Sequence, residues 1–183
     1  VVECAERTQP RALIVENVTA FRRWALYPIW RSALERLGYS LAELELDAAD
    51  FGVPQNRRRL FVVGFRKRKA PALALGGATQ ATARSILDPM ATGWASVASK
   101  SAAVQARVAN GRRRGFTRFL TQYVTNHPGR DLTRPIGTVT CASQHWHLVD
   151  GPRMRPLSVR ELARAQGFLD SFQLPEQVSL GTR

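Results

Sequence analysis

At 183 residues, 44% hydrophobic and 22% charged, the chain is long enough for one domain with a real core, or somewhat more, and has an ordinary globular composition. No apolar run approaches the roughly 18 residues of a membrane helix, the amino terminus lacks a signal-peptide h-region, and Cys4 and Cys141 form neither a disulfide framework nor a CxxC site, so the expected setting is reducing and cytoplasmic. The formal net charge is +13, and only three of the 27 cationic side chains are lysines; planar guanidinium groups in such excess favour a nucleic-acid partner and a nucleoid-associated location.

The opening VVECAERTQP has no initiator Met and starts as if inside a helix, which suggests a piece of something larger. Residues 11–15 read as a short strand, and the continuous apolar run Ala12, Leu13, Ile14 and Val15 within it is expected to be buried in a parallel sheet covered on both faces. The run ends in Glu16-Asn17, at the strand edge where open α/β sheets place their ligands. A helix is expected over about 28–37, closed by Gly38. Ala42, Leu44 and Leu46 then alternate with Glu43 and Glu45 at strand period. A turn-rich connection over 47–56 leads through Gln55 and three arginines, 57–59, into a further strand at 60–63 that closes near Gly64.

The texture changes at RKRK (66–69), where a boundary or linker is expected. The run suits a solvated segment and a phosphate-facing hinge equally. An Ala/Gly/Thr/Ser-rich stretch follows to about residue 103. Arg112, Arg113 and Arg114, followed by Phe116 and Phe119, make a basic patch with interleaved aromatics that suits a nucleic-acid backbone. Strands and turns are expected over 134–149. His145 and His147 flank Trp146, but two His without a nearby Cys make a poor zinc site, so they belong to a strand or a DNA-facing loop and no metal is assigned. In LSVRELARAQGF, Ser158 and Glu161 form a capping box, Leu157 and Leu162 a hydrophobic staple, and Gly167 the terminator. Arg160 and Arg164 share one face and are expected to be structural, pairing with acidic groups.

Three stretches in this order, Glu16-Asn17-Val18, Gln55-Arg57-Arg59 and Arg160-Glu161-Arg164-Gln166-Gly167-Phe168, resemble the DNA (cytosine-5) methyltransferase family. The variable segment between the second and third sits where that family keeps its target recognition domain. Within it, RPIGTVT (134–140) resembles the family's Pro-x-x-Thr-x-Thr signature, with Thr138 and Thr140. The resemblance implies an α/β fold: part of an S-adenosylmethionine-dependent, Rossmann-like methyltransferase sheet over 1–66, a small β-rich recognition domain over 67–152, and a helix returning to the core over 153–183. It implies methyl transfer to carbon 5 of a flipped cytosine in double-stranded DNA. Glu16 would then face the ring N3 and exocyclic amine, with its pKa raised by burial. Arg59 would hold the ring O2, Arg57 would help position it, and Asn17, Gln55, Arg112, Arg113, Arg114, Thr138 and Thr140 would face DNA.

The sequence departs from the family in having no Gly-rich cofactor loop, no final Gly-Asn motif and no Pro-Cys dipeptide, since Cys4 follows Glu3 and Cys141 follows Thr140. The resemblance therefore implies the carboxy-terminal part of such an enzyme, with S-adenosylmethionine held mainly by a missing half and a complementary chain carrying the Pro-Cys. The alternative is a non-catalytic DNA-binding or regulatory subunit derived from the family, or an inert truncation with an aggregation-prone sheet edge.

Overall fold

A computed structural model describes residues 1–69, 75–140 and 146–174. They form two compact units: the described residues within Val1–Asp47 and Arg57–Gly77, and those within Ala48–Asn56 and Ala78–Arg183. The first contains α1 (Val2–Thr8), β1 (Ala12–Asn17), a 3-10 turn (Thr19–Arg23), α2 (Tyr27–Arg36), β2 (Tyr39–Asp47) and β3 (Arg58–Arg66). The second contains β4 (Ala95–Ser96), α3 (Ala102–Arg113), β5 (Arg118–Gln122), β6 (Arg130–Asp131), β7 (Trp146–Asp150), β8 (Arg153–Pro156) and α4 (Val159–Ala165). The α/β class with a second, β-rich unit is what the sequence led one to expect.

In the first unit the strands run in the order β1-β3-β2, and β3 is antiparallel to both neighbours. This corrects the expectation of a parallel strand covered on both faces. Buried clusters gather on one face, where Leu13, Val15, Leu41, Leu60 and Val62 meet Phe21, Tyr27, Trp30 and Leu34. Ile14 points the other way and is 70% exposed, so β1 behaves as a half-covered edge strand despite its unbroken apolar run. None of the described buried clusters includes Ile14, Leu44 or Phe61, which share that second face.

The second unit is built on an antiparallel sheet of order β4-β8-β7-β5-β6. Its larger core joins Leu120, Trp146 and Leu148 from the sheet to Leu132, Ile136, Leu157 and Ala165. Ala83 and Ile86 are fully buried in that same core, so the small-residue stretch before α3 is structural there rather than spacer. α3 docks on β5 at Gly111, where an added Cβ would overlap the Phe119 ring, and Phe119 is fully buried. Gly111→Ala is therefore expected to lower unfolding free energy by about 1–3 kcal/mol through overpacking, read as a lower urea midpoint at unchanged slope.

α4 has the start and stop its sequence announced. Glu161 N–H donates to Ser158 Oγ at 3.2 Å, Ser158 N–H donates to Glu161 Oε2 at 2.7 Å, and Gly167 follows the helix at φ +86°. Glu161 does more than cap. With 0% of its side chain exposed, it accepts both terminal nitrogens of the equally buried Arg155 at 2.7 Å each, and the Asp88 backbone N–H at 2.8 Å. Burial pushes this carboxyl up, but Arg155 and the backbone donors outweigh it and hold it below the usual range. A carboxyl depressed in the folded state contributes stability above its unfolded pKa and loses it as pH falls through the folded value. Wild-type stability should thus decline from about pH 5 downward, and Glu161→Gln should flatten part of that decline in urea titrations at stepped pH.

Candidate functional site

β1 and β3 bring the first two motifs together. Glu16 lies opposite Phe61 in the ladder. Side chains alternate along a strand, so Arg59, two residues before Phe61, shares the face of Glu16. The two side chains meet, Arg59 Nε to Glu16 Oε1 at 2.9 Å, and Arg59 Nη1 also donates to the Arg58 carbonyl at 2.8 Å. The guanidinium is the better mounted partner, its side chain 20% exposed against 47% for Glu16. The burial expected around Glu16 is therefore absent: its face of the sheet is open, and its neighbour is a cation. An ion pair this exposed contributes only about 0–1 kcal/mol, so an incoming polar group can part it at little cost.

The neighbouring arginines do different things. Arg58 points to the opposite face and pairs with Glu45 at 2.6 Å. Glu45 also meets Arg22, and Glu43 takes Arg22 at 2.8 Å together with Arg31 of α2, so an acidic row on β2 fastens the turn and helix to the sheet. The backbone N–H of Arg57 donates to Asp47 Oδ1 at 2.8 Å, which fixes the entry to β3. Its guanidinium is not joined to the Glu16–Arg59 pair by any described bond. Asn17 ends β1 with its Oδ1 accepting from the Val18 N–H at 2.8 Å.

Gln55, Thr138 and Thr140 fall in the second unit. Gln55 is 1% exposed, bridges Ile136 in parallel fashion, and donates through Nε2 to the Ala165 carbonyl at 3.3 Å. Its side chain thus ties the segment before the arginines to the end of α4 instead of standing on the surface. Thr138 Oγ1 donates to the Asn56 carbonyl at 2.9 Å, and Asn56 N–H donates to the Ile136 carbonyl at 2.8 Å. Arg130 completes the knot by donating to Asn56 Oδ1 and to the Pro135 carbonyl. Thr140 is exposed.

Arg112, Arg113 and Arg114 occupy the exposed end of α3. Arg112 Nη2 donates to the Gly151 carbonyl at 2.8 Å, Arg113 to Asn110, and Arg114 lies 5.5 Å over the Phe116 ring. Of these three arginines Arg114 has an aromatic neighbour, the half-buried Phe116. Phe119, in β5, is fully buried, and Phe116, just before that strand, packs half-buried against the same cluster. Arg164 is structural as expected, meeting Asp170 at 2.7 and 3.0 Å, while Arg160 donates to the Phe172 carbonyl rather than to an acid. His147 lies within β7, buried and stacked on Tyr123 at 4.2 Å; Cys141 and His145 lie outside the described residues.

Sequence inspection missed Asn56, Arg130 and the Arg155–Glu161 pair. Asn56 stood inside the second motif, which was the available signal, and Arg155 lay five residues before the third. Arg130 carried none, because its partners lie 74 and 5 residues away. Cys4 sits exposed on α1, its Sγ 4.0 Å from Thr8 Oγ1, with no described base beside it. Among the described residues no cluster of three His, Cys, Asp or Glu could hold a metal, and no helix is long and apolar enough to cross a membrane. The turn leaving β1 runs through Val18 into the 3-10 turn Thr19–Arg23 and contains no glycine.

A family model, C-5 cytosine-specific DNA methylase, matches residues 1–183. Type II methyltransferase M.AplI of Arthrospira platensis is 32% identical over 192 aligned positions, covering 94% of this chain and 51% of that protein. Type II methyltransferase M.NlaX of Neisseria lactamica is 29% identical over 176, covering 91% of this chain and 55% of that protein. The chain spans about half the length of these two curated relatives. Among solved structures, the S. pombe Dnmt2 methyltransferase superposes with a TM-score of 0.55 at 18% identity, over 93% of this chain and 59% of that one. A putative DNA modification methyltransferase encoded within an E. coli prophage gives 0.56 at 15%, over 94% and 63%. At these identities the likeness is one of fold.

Proposed function

We propose, starting from the fact that this chain belongs to the C-5 cytosine-specific DNA methylase family, that it supplies the base-holding half of a DNA cytosine-5 methyltransferase. The observation that carries this is the Glu16–Arg59 pair, set by two strands on one open sheet face. A cytosine turned out of the duplex would part the pair. Its N3 and exocyclic amine would face the Glu16 carboxyl, which takes up a proton from solvent as the pair parts and gives it to N3 while carbon 5 becomes nucleophilic. Its O2 would meet the Arg59 guanidinium, which takes up the charge that develops there with little reorganisation. Asn17 would fix the loop beside the base, and Arg57 would set the approach of β3.

Methyltransferases of this family take their methyl group from S-adenosylmethionine. In this proposal the cofactor and the thiolate that adds to carbon 6 are held mainly by a complementary portion carrying the Pro-Cys dipeptide, and we assign no step through them to residues here. The open β1 edge and the sheet face bearing the exposed Ile14 beside half-buried Leu44 and Phe61 are the surfaces such a portion would cover. Double-stranded DNA is the other partner, favoured by the +13 net charge.

The test is to mix this chain with a polypeptide carrying the Pro-Cys half and follow labelled methyl transfer to duplex DNA. Transfer that requires both chains is expected. Tight duplex binding with no transfer from any such mixture would instead favour the DNA-binding or regulatory subunit.

A further inference from the structure

The second unit contains a cavity of about 300 Å³ whose wall carries three guanidinium groups. Arg114 comes from the end of α3, Arg130 from β6, and Arg134 from the turn that follows. Phe116 supplies an apolar side, and a single carboxylate, Asp131, lies among the three guanidinium groups. That carboxylate is already engaged: it accepts the Thr133 backbone N–H at 2.8 Å, and Thr133's backbone and hydroxyl, then Arg84 and Arg134, hold it low and ionised. The cavity thus keeps an excess of positive charge. His127 feels it. Burial, then the charges of Arg130 and Arg107, push its imidazole down, so the ring stands neutral beside the cavity.

The wall is rigidly built. His127 Nδ1 accepts the Gly129 N–H at 3.1 Å, and the His127 ring meets Trp146 edge-on at 5.4 Å. Gly129 sits at φ +76°, and a Cβ there would lie 2.9 Å from the Gly111 Cα. The turn before β6 therefore touches the backbone of α3, and this contact is what brings Arg114 to Arg130 and Arg134. Arg130 is held in place by Asn56 and Pro135.

We propose that this cavity seats one sugar-phosphate unit of the duplex DNA backbone, with Arg114 and Arg134 as its phosphate-binding groups and Arg130 as the positioning residue. The inference rests on the family's DNA substrate. It assigns a sequence-independent anchor on the recognition unit, which sets position on the duplex without reading bases. A volume of this order holds a nucleotide-sized group, and planar guanidinium groups match phosphate in two-pronged contacts.

The test compares duplex binding by the whole chain, R114A/R134A, and R11A/R36A, which removes equal charge from exposed sites in the first unit. Arg130 is left intact because its bonds maintain the fold. For R114A/R134A, affinity at about 0.1 M salt should fall roughly tenfold or more, equally for unrelated sequences, and the log–log salt slope should become shallower by about one. R11A/R36A should change the slope much less. Equal changes in both double variants, or an unchanged slope in R114A/R134A, would overturn the anchor while leaving the DNA substrate standing. No duplex affinity in the wild-type chain would remove both. Saturable binding of inorganic phosphate by the DNA-free chain, lost in R114A/R134A without effect on DNA, would reassign the cavity to a free anion.

Discussion

Glu16→Gln is expected to lower the single-turnover rate of the complemented enzyme by about 10²–10⁴-fold while changing duplex affinity by about twofold or less. The substitution keeps the size of the side chain and an acceptor oxygen. In the proposed role it removes the proton that the carboxyl would give the ring nitrogen, and in the resting pair it removes the charge that Arg59 meets at 2.9 Å. Folding should be little affected, because a pair exposed to this degree contributes about 0–1 kcal/mol. Rate and stability thus separate, which distinguishes a group acting on the base from a strut in the sheet. A rate within threefold of wild type, or a loss of affinity as large as the loss of rate, would remove Glu16 from its proposed role.

Arg155→Met is expected to be the most damaging single change to the second unit, costing about 3–5 kcal/mol. It leaves the Glu161 carboxylate, with none of its side chain exposed, facing a thioether. Two backbone donors, from Asp88 and Ser158, remain on that carboxylate, which keeps the cost from growing further. Replacing both partners, Arg155→Met with Glu161→Leu, should recover much of the loss, since the unpaired charge goes, though the capping contribution of about 1 kcal/mol does not return. Equilibrium urea unfolding of the three variants checks this; additive losses in the double variant would show that the pair is not coupled.

Much of the fold was legible because it is local. The strand period at 42–46, the stop of α2 before Gly38 and the capping box of α4 are all dictated within a few residues. The apolar run at 12–15 was misread as doubly covered because hydrophobicity alone does not say how many faces are buried; Ile14 is exposed because β3 pairs beside it and the described helices pack on one face only. Likewise Phe116 and Phe119 looked like a stacking surface beside three arginines. The register of β5 turned Phe119 into core, and Phe116, just before that strand, leans on the same cluster; neither can be read without knowing where β5 starts and what packs on it.

The linear order of motifs pointed to the family without coordinates, and that resemblance is what proposed Glu16 and Arg59 as partners in chemistry. Only the tertiary structure decided that they touch, that Gln55 lies inside while Glu16 lies half-open, and that Arg130 ties Asn56 to Pro135. The physical reason is distance along the chain. Pairings across 40 or more residues depend on strand register and on which face each strand presents, and no local propensity specifies either.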